Sequence, residues 1–228
     1  MLFLLACSLA AASPSLGEVR PLSAPLGLGE LCWSPDGTSI SAYLPAEQRF
    51  LAFDLQGRVE ALPGRHPGAF RHRWDPAGSG VVARPELAGP AFVERDDLWL
   101  REPGGPRRVT RGEDRFYDPL SSPDGRFLAF TGLTTGLHVL DLGSGALWHL
   151  GPGRWPAWTP AGSLVFERDA DDGHVLTAAD LWLWDPAAGV PEPLLAGAAL
   201  DRFPAVSPDG RWVAFVRDGA LRVAELRP

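Results

Sequence analysis

Lysine and asparagine are absent from these 228 residues, and isoleucine occurs once, at Ile40. All 21 basic residues are therefore arginine, a skew we read as codon bias in a GC-rich genome rather than as chemistry. Cysteine is scarce as well. Of Cys7 and Cys32, the first lies in an N-terminal segment that reads as cleavable, so no intrachain disulfide is expected in the mature chain. Cys32 stands beside Trp33 in an apolar stretch and reads as a buried thiol. No apolar run is long enough for a membrane-spanning helix. Acid exceeds base, and the formal charge of -7 argues against nucleic acid as the main partner. The five histidines (His66, His72, His138, His149, His174) show no metal-ligand spacing apart from His66 and His72, which lie among Arg65, Arg71 and Arg73, so zinc is not expected.

Turn-forming residues are abundant: Gly 26 and Pro 23 punctuate apolar runs and suit an all-β chain. A four-residue phrase recurs five times, as Ser34-Pro35-Asp36-Gly37, Asp75-Pro76-Ala77-Gly78, Ser122-Pro123-Asp124-Gly125, Thr159-Pro160-Ala161-Gly162 and Ser207-Pro208-Asp209-Gly210. Its closing glycines are 41, 47, 37 and 48 residues apart, a period typical of propeller blades. Proline at the second position presets φ, and the third residue takes the bridge region, which suits a type I turn. Alternating strands such as Arg126-Phe127-Leu128-Ala129-Phe130 and Arg211-Trp212-Val213-Ala214-Phe215 follow the turn. A third strand comes next (Leu137 to Leu140, Leu181 to Trp184, Leu221 to Ala224), and four copies carry a fourth, such as Val59 to Leu62. Four antiparallel strands per copy make a blade. In the second copy, Val93 to Leu100 is expected to supply the third strand after a Pro-interrupted loop.

The fifth copy ends after three strands, which leaves an edge to cover. Val19 to Ala24 is the expected donor. The predicted fold is thus an all-β, five-bladed β-propeller of four-stranded antiparallel blades over residues 17–228, closed by an N-terminal strand completing the last blade. Residues 1–12 resemble a secretory signal, with Ala10-Ala11-Ala12 as the cleavage pattern. Leu4-Leu5-Ala6-Cys7 also resembles a lipobox, in which Cys7 would carry a lipid anchor, the one membrane attachment considered. Either reading places the protein in the periplasm or at the cell surface.

The aromatic-Ser-Pro-Asp-Gly turn, the strand it leads to and the Asp-Leu-Trp starts at Asp97-Leu98-Trp99 and Asp180-Leu181-Trp182 resemble the TolB-like propeller repeat. The second and fourth copies depart from it, with Ala77 and Ala161 in place of Asp. The resemblance implies a propeller over most of the chain, TolB-like but not TolB itself, since TolB has a further domain and six blades. It also brings to mind propeller-bearing serine hydrolases, but no Gly-x-Ser-x-Gly elbow occurs.

Function is less legible. The residues four before the phrase are Glu30, Arg71, Asp118, Trp155 and Phe203, and those five before it are Gly29, Phe70, Tyr117, Arg154 and Arg202. In a propeller these rings face the central channel, where charge mixed with aromatic surface suits a carboxylate-bearing ligand or a peptide end. Glu30, Arg71, Arg73, Asp118, Trp155 and Arg202 are the candidate ligand-binding residues. The expected function is a non-catalytic platform for a protein or peptide partner in the envelope, without cofactor. Two alternatives stand beside it. A polysaccharide hydrolase or lyase would use two of Asp118, Glu30 and Asp201, and a degenerate structural member would have no ligand. Asp169, Asp171 and Asp172 partly resemble a calcium loop but miss its full spacing.

Overall fold

The computed structural model describes residues 14–64, 71–75, 77–83 and 89–227. Residues 1–12, expected to be a signal, and with them Cys7, lie outside the described residues, as do Arg65, His66 and Phe70. Among these residues there is no helix, and twenty-two strands follow one another. They begin with β1 (Ser15–Leu16), β2 (Arg20–Pro21), β3 (Leu31–Trp33), β4 (Ser39–Leu44), β5 (Arg49–Asp54) and β6 (Val59–Leu62). The second copy supplies β7 (His72–Trp74), β8 (Val81–Ala83), β9 (Ala91–Glu94), β10 (Asp97–Leu100) and β11 (Arg107–Arg108). The third gives β12 (Phe116–Ser121), β13 (Phe127–Gly132), β14 (Gly136–Asp141) and β15 (Leu147–His149). The fourth gives β16 (Gly153–Trp158), β17 (Leu164–Asp171), β18 (Leu176–Trp184) and β19 (Pro191–Leu195), and the last β20 (Asp201–Val206), β21 (Trp212–Arg217) and β22 (Ala220–Arg227).

Strand order reproduces the repeat. The first, third and fourth copies form four-stranded meanders, β3-β4-β5-β6, β12-β13-β14-β15 and β16-β17-β18-β19. In the last copy β20, β21 and β22 are joined by β1 and β2, both antiparallel to β22, with Ser15 opposite Arg227 and Arg20 opposite Val223. The second copy differs from expectation. It divides into the pair β7-β8 and the sheet β9-β10-β11, and Val93 and Leu100 belong to two strands of one hairpin rather than to a single strand. Arg95 and Asp96, both at positive φ, turn that hairpin.

Each phrase works as a self-contained turn. Ser122 Oγ donates to Asp124 Oδ1 (2.5 Å) and accepts from the Phe127 amide (2.8 Å), while Asp124 Oδ1 also accepts from the Arg126 amide (3.0 Å). Gly125 sits at φ 71, a conformation that glycine adopts without penalty, and its amide closes the turn on the Ser122 carbonyl (2.9 Å). The Ser34 and Ser207 copies repeat these bonds. Where the third residue is Ala, the first residue carries the load instead. Asp75 Oδ1 accepts from the Ser79 amide (2.9 Å), and Thr159 Oγ1 accepts from the Ser163 amide (3.0 Å).

The core lies between sheets. One cluster joins the first sheet to the last, with Ile40, Ala42 and Phe53 against Ala214, Leu221 and Val223. Another packs Phe127, Leu137 and Val139 of the third copy against Leu164, Phe166 and Trp184 of the fourth. Indole N–H groups just before the phrase stitch neighbouring inner strands. Trp33 Nε1 donates to the Ala205 carbonyl (3.0 Å), Trp74 Nε1 to the Cys32 carbonyl (3.1 Å) and Trp158 Nε1 to the Leu120 carbonyl (3.0 Å). In each case the acceptor lies two residues before the phrase of the adjacent copy. These tryptophans therefore join neighbouring repeats through a hydrogen bond.

Candidate functional site

The inner strands β3, β7, β12, β16 and β20 surround a cavity of about 630 Å³. Its wall takes Glu30, Arg71, Asp118, Trp155 and Phe203, the whole ring four residues before the phrase, together with His72 and Arg73. Much of the remaining wall is apolar, with Pro119, Pro156, Pro204, Trp33 and Trp158 among its members.

Backbone geometry explains how three of the ring residues enter the channel. Asp118 (φ 57), Trp155 (φ 53) and Phe203 (φ 54) are left-handed, and each precedes a proline. Strand register shifts at the same place, between Tyr117 and Leu120, Arg154 and Ala157, and Arg202 and Ala205. A bulge of this kind re-aims a side chain and costs about 1–3 kcal/mol where a non-glycine residue takes positive φ. Glu30 and Arg71 reach the same level at the entry to β3 and β7 without positive φ.

The ring residues touch one another. Arg71 Nε donates to Asp118 Oδ2 at 2.6 Å, with about a fifth of each side chain exposed (19% and 18%). The Arg71 guanidinium carbon lies 5.4 Å from the centre of the Trp155 ring, and Trp155 meets Phe203 edge-on with centroids 5.0 Å apart. Arg71 Nη2 is buried and has no hydrogen-bond partner among the described residues. Beside it, His72 Nε2 lies 2.8 Å from Ser41 Oγ, and His72 Nδ1 lies 3.8 Å from Glu30 Oε1. This Ser-His-Glu series is not an exposed nucleophile. Ser41 is fully buried, and its hydroxyl donates to the Cys32 carbonyl (3.0 Å). Cys32 itself is half-buried at the cavity wall, where burial pushes its thiol up.

Arg202 is the exception among the candidates: it is not among the residues that line this cavity. Its guanidinium donates to Glu167 Oε1 (2.9 Å), while the Phe203 amide donates to Glu167 Oε2 (2.9 Å). Glu167 is wholly buried, which pushes its carboxyl up against the opposing pull of Arg202. This carboxylate from the fourth copy therefore holds the Phe203 bulge of the fifth. Sequence reasoning missed Glu167; the sole hint was an acid ending the apolar run Leu164 to Phe166.

The carboxylates named for the hydrolase alternative are engaged. Asp118 binds Arg71, and Asp201, the first residue of β20, takes a two-pronged contact from Arg217 (2.7 and 2.8 Å). Asp169, Asp171 and Asp172 serve their own hairpin. Asp169 lies 3.5 Å from Arg154, Asp171 accepts from the Gly173 amide (2.8 Å), and Asp172 accepts from the His174 and Val175 amides (both 2.9 Å). Among the described residues no group of His, Cys, Asp or Glu is arranged to hold a metal ion.

No family model matches the chain. A stretch of 106 residues, 43% of this chain, is 35% identical to a TolB homologue from Chlorobium chlorochromatii, and the match covers 22% of that protein. The chain thus spans about a fifth of the length of the curated relative it matches. A gluconolactonase from Xanthomonas campestris superposes with a TM-score of 0.61 at 12% identity, covering 96% of both chains, which supports the fold alone. TolB from Acinetobacter baumannii gives a TM-score of 0.42 at 15% identity, over 94% of this chain and 63% of its own, too low to carry an argument. The repeated turn, the antiparallel sheets around one cavity and the sequence match to a TolB homologue together make this chain similar to the TolB-like β-propellers.

Proposed function

We propose that this protein is a five-bladed propeller, its second blade divided between two sheets, that binds a peptide segment of a protein partner in its central cavity. The observation that carries this reading is the cavity wall. A cation, Arg71, stands against the face of Trp155 beside Phe203, in a funnel otherwise rich in proline and tryptophan. Apolar pockets with a few convergent polar groups are the usual form of a binding site. Three bulged positions spend backbone strain to aim side chains there. We place the protein in the cell envelope, on the apolar N-terminal segment and the likeness to a TolB homologue.

Panning a displayed library of random peptides against the purified protein tests the reading. Selected peptides are expected to lose binding to Arg71→Glu and to Trp155→Ala, while thermal unfolding shows that both variants fold. Peptides retained equally by both variants, or no selected peptides at all, would overturn it. A hydrolase or lyase stays the second reading, favoured only by the fold shared with a gluconolactonase at 12% identity.

A further inference from the structure

The Arg71–Asp118 pair says more than that the channel is polar. Arginine offers five N–H donors in a fixed fork. Asp118 Oδ2 takes the Nε edge, while Nη2 finds no partner among the described residues. The guanidinium is thus only partly used, although leaving a buried donor without a partner is costly. The carboxylate is also put there at a cost, because Asp118 adopts φ 57 in front of Pro119, at the register shift of β12. The aromatic side of the same guanidinium is Trp155, backed by Phe203.

We infer that Asp118 is a built-in competitor for Arg71, and that the cavity's ligand presents a carboxylate on an aromatic or apolar body, sharing Arg71 with Asp118. This rests on the binding-site reading above and names the chemistry that the site recognises. Asp118 holds the arginine in place while the cavity is empty, and its charge repels the arriving carboxylate across one guanidinium. It is therefore a specificity-determining residue that weakens anion binding. Removing its charge while keeping its shape should tighten binding, the reverse of what a residue that merely lines the wall would do.

The probe is N-acetylphenylalanine as the free acid, with its primary amide as control, titrated into the full chain by calorimetry. Asp118→Asn is the informative variant, because Asn tolerates the left-handed backbone as well as Asp. Asp118→Asn is expected to bind the acid about tenfold tighter than the unaltered protein does, as befits the removal of one charge a few ångströms away in a partly buried site. The amide is expected to bind neither form, and Arg71→Gln in either background to abolish acid binding. Thermal unfolding of each variant separates loss of binding from loss of fold. Equal or weaker acid binding by Asp118→Asn, comparable binding of the amide, or no binding of the acid to any form would each overturn the inference. If that happens while displayed peptides still depend on Arg71 and Trp155, the binding-site reading survives and the carboxylate assignment alone fails.

Discussion

At Glu167 a charge is buried outside the cavity lining, behind Phe203. Its two oxygens are used by Arg202 and by the Phe203 amide, so it fixes a turn of backbone rather than a ligand. Removing one partner of such a pair strands the other charge, at a cost of about 3–5 kcal/mol. Arg202→Ala should therefore lower unfolding stability by about that amount in urea titrations, and Arg202→Ala with Glu167→Gln should recover part of the loss. A loss well under about 1 kcal/mol would mean that the ion pair is not structural. His138 makes a different residue-scale test. Its ring stacks on Phe130 (5.2 Å) and His149 (4.8 Å), and burial holds its pKa at about 4 rather than 6.5. Because the folded pKa lies below the unfolded one, the unfolded chain takes up this proton first as pH falls. Stability should thus decline as pH drops from 6.5 towards 4. Urea midpoints across that range check the sign, and His138→Phe should flatten this part of the curve.

The element that repeats is a turn with its hydrogen bonds written into four residues. Asp124→Ala removes the acceptor for the Arg126 amide and the Ser122 hydroxyl, and should cost about 1 kcal/mol in thermal or urea unfolding. Asp75→Ala should cost about as much, since in that copy the first residue bonds the Ser79 amide and hydroxyl. By the same reasoning Ala77→Asp should gain little, because Asp75 already satisfies Ser79. Departures from the phrase at Ala77 and Ala161 are therefore changes in which residue caps the turn. The strands after the turns were legible as short apolar runs bounded by turn residues, such as Phe127 to Phe130, which is buried throughout in the structure. The division of the second copy was not. Val93 to Leu100 reads as one apolar segment, and only pairing reveals that Arg95 and Asp96 fold it into a hairpin.

Across the whole molecule, the first and last repeats share one hydrophobic cluster and one indole hydrogen bond. Leu22, buried in that cluster, follows β2, which pairs with β22. Leu22→Ala should cost about 2–4 kcal/mol in urea unfolding, as expected for a cavity in a packed core. Trp33→Phe keeps most of the apolar surface but removes the indole donor to the Ala205 carbonyl, and should cost about 1 kcal/mol. If either change left the unfolding midpoint unmoved, the junction between the first and last repeats would not contribute to stability.

The sequence by itself determined the repeat, the turns, the strand count in three of the five copies and the ring of positions that reaches the cavity. These are consequences of local chemistry: proline and glycine limit φ, and strand alternation sets which side chains turn inward. It marked the N-terminal strand as partner of the last repeat because an unpaired edge is costly. What only the tertiary structure decided was pairing between side chains from different repeats. Arg71 and Asp118 are 47 residues apart, and Arg202 and Glu167 are 35 apart, so no local rule assigns one to the cavity and the other to a buried carboxylate. The two arginines look alike in the sequence, each at or beside the ring position. They differ because a buried glutamate on the neighbouring sheet claims Arg202, whereas Arg71 faces the cavity with part of its hydrogen-bonding capacity unused among the described residues.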